Sequence, residues 1–218
     1  MAGRPNLLAG ESVRPEPRQK RSQAKRTRLK MAALVLFGEK GYEATSVEDI
    51  VQRANVALGS FYQHYRSKRQ LLLALMDELL EHLSNLQLHP KETTDIKSGL
   101  RQLLARAFST DLRYLGAYRA WQEAALSDPE LAEKEKGIHA WTTARVLAVF
   151  RALQQSPGAR SGVEVAALAR VMDGFFWSLL SQALRLLSTE LNEWIDAATH
   201  LIYHALFRDP GNKPASGR

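Results

Sequence analysis

Between Thr45 and Lys68 the chain reads TSVEDIVQRANVALGSFYQHYRSK. This stretch sets hydroxyls, polar aromatics and a lysine on short helical patterns separated by a tight turn, and the chemistry available is hydrogen bonding and charge pairing. Thr45 followed by Glu48 has the form of a capping box, in which the hydroxyl takes a free amide three residues on and the glutamate reaches back. Val47, Ile50, Val51 and Ala54 recur at helical spacing, so one face of this first helix is buried. Asn55 stands where the turn needs a residue tolerant of positive φ, and Val56 plugs the core beneath it. A second helix is expected over 57–65, with Phe61 inward and Leu58, Ser60, Tyr62 and His64 pointing largely outward. Ser67 and Gln70 form another capping box and place Lys68 in the first turn of a long helix, where free amides and an ammonium make a phosphate cradle. The whole is the pattern of a helix-turn-helix reader of double-stranded DNA.

From Lys25 to about Leu75 the chain resembles the DNA-binding domain of the tetracycline-repressor (TetR/AcrR) family of bacterial regulators. The resemblance is carried by Ala32-Ala33, Leu36-Phe37, Gly41-Tyr42, Thr45-Ser46, Ile50, Val56, Gly59, Phe61-Tyr62-Gln63-His64-Tyr65 and Ser67-Lys68. It implies that Tyr62, His64 and Lys68 grip phosphates, and that Ala57, Leu58 and Ser60 face base edges. With Thr45 and Ser46 these make the expected DNA-binding set. Two departures from the family pattern stand out: Asn55 where many members have glycine, and Ala57-Leu58 where many have a serine followed by a basic or polar residue. Leu58 offers no hydrogen bond, so its direct readout would be apolar contact with a thymine methyl.

Charge is distributed to suit such a reader. The chain of 218 residues carries a net +7, and residues 1–30 hold nine Lys/Arg against Glu11 and Glu16. Residues 31–70 hold five basic and four acidic side chains, and the remaining 148 hold 16 against 17. The positive field is therefore confined to the end that holds the reader. Pro5, Pro15 and Pro17 and a scarcity of apolar residues make 1–21 read as a disordered basic arm. There are no cysteines, which removes disulfides, a thiolate nucleophile and cysteine metal sites. No apolar run approaches the ~20 residues of a membrane span, and no secretory signal is visible, so a cytoplasmic protein is expected.

The rest of the chain shows helical punctuation and no strand alternation, which gives an all-α fold of about nine helices. Helices are expected over 22–40, 67–88, 94–110, 111–126, 129–154, 163–187 and 190–207, besides the two of the reader. The expected organisation is an arm over 1–21, a helix-turn-helix domain with connecting helix over 22–88, an effector-binding and dimerisation domain over 89–208, and a disordered tail over 209–218. Residues 163–187 are apolar nearly all round and 190–207 carry a clean apolar stripe, so the two helices suit burial on two sides. A homodimer through them is favoured because such readers pair half-sites, and the resemblance implies the same pairing. Gly174, Ser178 and Ala183 would allow close approach.

The middle helices are rich in bulky aromatics, and cavities lined by aromatics are common small-molecule sites. Tyr118, Trp121, Trp141, Phe175 and Trp177 are the candidate ligand-binding residues, while Arg119, Arg145, Arg170 and Asp173 stand by to meet a polar head or to pair with one another. The resemblance implies an effector, and the apolar lining suggests a lipophilic or aromatic one. His200 and His204 have a spacing that could clamp a metal, but no third ligand is evident, so neither metal nor cofactor is expected. No Gly-x-Gly-x-x-Gly, Gly-x-Ser-x-Gly or His-Glu-x-x-His is present, and no enzyme is expected. The reading is a ligand-responsive DNA-binding repressor released from a pseudo-palindromic operator. The alternative is a DNA-bound structural or adaptor protein without an effector.

Overall fold

Nine α-helices follow one another in a computed structural model, which describes residues 3–12, 14, 15, 17–86, 95–183 and 188–208. They are α1 (Lys20–Lys40), α2 (Val47–Ala54), α3 (Leu58–His64), α4 (Lys68–Ser84), α5 (Ile96–Arg113), α6 (Leu115–Ala125), α7 (Pro129–Gln154), α8 (Val165–Ala183) and α9 (Ser188–Leu206). Among the described residues the only pairing of extended backbone is a single antiparallel bridge between Ala159 and Phe207. The helix ends follow local chemistry. Gly41 closes α1 at φ 86°, a left-handed backbone that favours glycine. Asp128 caps α7, its Oδ1 accepting from the amides of Glu130 (3.0 Å) and Leu131 (3.2 Å), with Pro129 set in the first turn where its missing N–H costs nothing. The expected end of α4 at Pro90, the boundary at 88/89, positions 184–187 of the eighth helix and the tail 209–218 lie outside the described residues.

Two packing units are present. The first joins Gly3–Asn85 to Ser109–Ile138, and the second joins Leu86–Phe108 to the residues from His139 onward. The expected partition set 89–208 apart as one domain, whereas Ser109–Ile138 packs with Gly3–Asn85. Small residues explain the difference. On α6, Gly116, Ala117, Ala120 and Ala124 bring the backbone down onto α1, and a Cβ on Gly116 would collide with the Leu34 carbonyl. The reader's core of Leu29, Phe37, Ile50, Phe61, Leu71 and Leu75 is thus sealed by a helix far along the chain.

The N-terminal arm is the clearest correction. Instead of a disordered tail, residues 3–12 pack within the first unit. Leu7 is 1% exposed, which removes its side chain from water and is worth roughly 1.5–3 kcal/mol. Arg4 Nη1 donates to Asp77 Oδ1 at 2.8 Å and to its carbonyl at 3.0 Å. Glu11 pairs with Arg69 at 2.5 Å, where Asp128 and Glu130 also meet the guanidinium at 2.7 Å. Gln70 Nε2 donates to Glu11 and to the Ser12 carbonyl at 3.3 Å. The apolar Leu7 and the complementary charges of Arg4 and Glu11 override the prolines that made this segment read as unstructured.

In the second unit α5, α7, α8 and α9 enclose a core of Leu104, Phe108, Phe150, Met172, Ile195 and Ile202. Arg160 fastens the end of α9, its amide donating to the Leu206 carbonyl at 2.7 Å and its Nε to the Phe207 carbonyl at 3.0 Å.

Candidate nucleic-acid interface

The helix-turn-helix is assembled by a few local devices. The capping box sits one residue later than expected. Ser46 Oγ accepts from the Asp49 amide at 3.0 Å, and Asp49 Oδ2 accepts from the Ser46 amide at 3.0 Å. Those hydrogen bonds hold the Asp49 carboxyl below the usual carboxylate range. Thr45 is buried instead, its hydroxyl donating to the Gly41 carbonyl at 2.6 Å. Asn55 takes φ 51° and ψ 55° as the turn requires. Ser67 caps α4 by accepting from the Gln70 amide at 3.1 Å. The Gln70 side chain passes over Ser67 and accepts from the Arg66 amide at 2.8 Å.

On α3, Phe61 is fully buried and the outward face presents Ala57, Leu58, Gly59, Tyr62 and Gln63. Leu58 is 42% and Tyr62 45% exposed. Ser60 and His64, expected outward, are 6% and 7% exposed. In so short a helix the residues flanking Phe61 by one and three positions fall partly on the packed side. Ser60 Oγ accepts from Lys25 Nζ at 3.3 Å. His64 Nε2 is buried with no hydrogen-bond partner. Burial first, then Arg26, Lys25 and Arg14, push the imidazole below its ordinary value.

Lys68 stands at the start of α4 as expected, with a neighbour the sequence did not reveal. Its Nζ donates to the Tyr42 carbonyl at 2.6 Å and lies 4.1 Å from the centre of that ring. Burial lowers the ammonium from the usual lysine value, while Glu43 and Glu123 pull it back up. The Tyr42 phenol is pushed up to about 12, chiefly by burial. Two further cations flank the reader. Lys25 reaches α3, and Arg28 Nη1 donates to the Asn55 carbonyl at 3.3 Å. The signal for them was the basic run on the first helix, legible as a field but not as positions.

The candidate ligand residues fall in both packing units. Tyr118 and Trp121 belong to α6 in the first unit, and Trp141, Phe175 and Trp177 to the second. Trp121 is 1% exposed and its Nε1 has no hydrogen-bond partner. Trp177 Nε1 donates to Thr142 at 3.3 Å, with the His139 ring 4.5 Å away. Asp173 is buried, accepts from Thr143 Oγ1 at 2.8 Å, and has its carboxyl raised by that burial. Arg119 Nη1 donates to the Gly38 carbonyl at 2.5 Å and Arg145 Nη2 to the Leu86 carbonyl at 2.8 Å. A depression of about 400 Å³ in the second unit is lined by Asp95, Lys97, Ser98, Arg101, Asp196, Thr199 and His200, and by none of the five aromatics. The His200 and His204 rings lie 4.1 Å apart. Among the described residues no group of three or more potential ligands is gathered for a metal, and no helix is long and apolar enough to cross a membrane.

Residues 31–75 match the family model described as bacterial regulatory proteins, tetR family. The chain is 29% identical over 136 residues to the transcriptional activator FasR of Mycolicibacterium smegmatis, covering 62% of this chain and 61% of FasR. Its matches span about a sixth to three fifths of the length of the curated relatives. Among solved structures, the SmeT–triclosan complex superposes with a TM-score of 0.64 at 22% identity, covering 89% of this chain and 97% of SmeT. The fatty acid degradation regulator FadR of Bacillus halodurans gives 0.64 at 16% identity, covering 87% and 96%. These likenesses bear out the all-helical architecture.

Proposed function

From a chain whose helix-turn-helix domain belongs to the tetR family of bacterial regulatory proteins, we propose a ligand-responsive transcriptional repressor that acts as a homodimer on a pseudo-palindromic operator. The observation that carries DNA binding is the face of α3: Ala57, Leu58, Gly59, Tyr62 and Gln63 lie open to solvent, beside Lys25, Arg28 and Lys68. Lys68 and Tyr62 would hold phosphates, and Ala57 and Leu58 would read base edges, with Ser46 at the start of α2. Thr45, Ser60 and His64 support that surface from within.

Dimerisation through α8 and α9 is supported by apolar groups the single chain leaves in water. Val171 is 68% and Leu201 57% exposed, and Gly174 faces open space. A lipophilic or aromatic effector is supported by the aromatics of α6–α8 and by the capture of triclosan on SmeT, a protein of this fold. The protein would work in the cytoplasm, where its DNA is.

Selection of sites from genomic fragments followed by footprinting tests the reading. The expected result is two symmetric half-sites about 34–36 Å apart, or a small multiple of that, with Leu58→Gln changing which bases are preferred. Protection of a single asymmetric site would overturn the dimeric operator.

A further inference from the structure

We propose that Glu123 is a positioning residue for the phosphate grip: from α6 its carboxylate fixes the turn between α1 and α2, and through one peptide group it fixes the Lys68 ammonium. The proposal rests on DNA being the reader's ligand.

The geometry is a short relay. Glu123 Oε2 accepts from the Tyr42 amide at 2.6 Å and Oε1 from the Glu43 amide at 3.0 Å. Hydrogen bonds from two successive N–H groups to an ionised carboxylate are charge-assisted, hence short and directional. The Glu43 amide and the Tyr42 carbonyl belong to the same peptide group. Its N–H is held by Glu123, and its carbonyl accepts from Lys68 Nζ at 2.6 Å. Polarising one end of a peptide group strengthens the other, so the two contacts are cooperative. An ammonium has three donors; with one committed to the Tyr42 carbonyl and Nζ held 4.1 Å from the centre of that ring, the remaining donors are aimed. Two glycines make the approach possible. Gly41 has φ 86°, and a Cβ there would collide with the Glu123 carboxylate; Gly116 lets α6 settle on α1. Arg119 completes the seat by donating to the Gly38 carbonyl.

Burial of Trp121, Ala117, Ala120 and Ala124 already holds α6 in place. The carboxylate is therefore not needed to dock the helix, and its specific consequence is the placement of the turn and of Lys68.

The test uses the full-length protein with Glu123→Ala, Glu123→Gln, Lys68→Ala and the double variant Glu123→Ala/Lys68→Ala. Binding to a fluorescent duplex of random sequence is followed by anisotropy across a KCl series, and amide hydrogen exchange is recorded alongside. Glu123→Ala should speed exchange at Tyr42 and Glu43 and leave the interior of α6 protected. It should weaken duplex binding about fivefold to tenfold and lower the salt slope by up to ~0.9, the share of one phosphate contact. Glu123→Gln, which keeps one acceptor, should fall between. The double variant should bind no more weakly than Lys68→Ala, because both act through one contact. Strictly additive losses, or Glu123→Ala binding like wild type while Lys68→Ala is weakened, would overturn the proposal and leave DNA recognition intact. Absence of duplex binding by the wild type would instead overturn the DNA reading, and the proposal with it.

Discussion

His64 shows how a residue type is easier to read than its surroundings. The Tyr-Gln-His run marked it as an exposed partner, yet its ring is packed beside Tyr65 with Nε2 unpaired. Burial and the nearby cations depress the folded pKa, whereas in the unfolded chain the imidazole titrates near ~6.5. The unfolded state thus gains a proton that the folded state resists as pH falls below that value, and stability is lost over that interval. Urea unfolding at a series of pH values should show the free energy falling from neutral pH downward, less steeply in His64→Gln. An unchanged slope in that variant would assign the pH dependence to other groups. Helix-forming and turn-forming roles were legible at this scale: Asn55 in its left-handed turn, Phe61 inward, Ser67 as a cap. Thr45 and Ser46 were not separable, because both are good caps and only the Gly41 carbonyl beneath Thr45 decides between them.

Helix positions were largely legible because periodicity, Gly41 and Asp128-Pro129 are local signals. What α6 packs against was not. Its small residues suit any close helix contact, and nothing in the sequence says that the partner is α1 rather than a helix of the second unit. The arm failed for a related reason: Leu7, Arg4 and Glu11 are unremarkable until Asp77 and Arg69 are found opposite them. Deleting residues 1–12 removes the buried Leu7 and leaves Arg69 and Gln70 without Glu11. Thermal unfolding should show destabilisation of about 1.5–3 kcal/mol from Leu7 alone, and Leu7→Ala should account for most of it. A truncated protein as stable as the full chain would show that the docked segment contributes nothing.

Over the whole molecule, an effector response is the property that separates a ligand-controlled repressor from a DNA-bound adaptor. A compound bound at 100 times its dissociation constant should stabilise the protein by ~2.7 kcal/mol. Reciprocity requires that the same compound lower operator affinity by the factor by which operator lowers its own. A thermal-shift screen of fatty acyl and aromatic compounds, followed by operator-release assays on the hits, is expected to find one with both effects, lost on substituting Trp141 or Trp177. Stabilisation without release would support the adaptor alternative.

The reader's packing unit is discontinuous, and this has a consequence for synthesis on the ribosome. Residues 3–85 are made first, yet Gly116, Arg119, Glu123 and Asp128, which finish that unit, emerge only later. Until they do, the face of α1 around Gly38 is uncovered and Arg69 lacks Asp128. The DNA-binding end is thus completed by long-range contacts, which form slowly relative to local ones. A nascent chain stalled before residue 138 would expose that face and be open to proteolysis. A hybrid regulator joined at residue 85 would inherit the same defect, while one that carries residues 109–138 along with the reader would not.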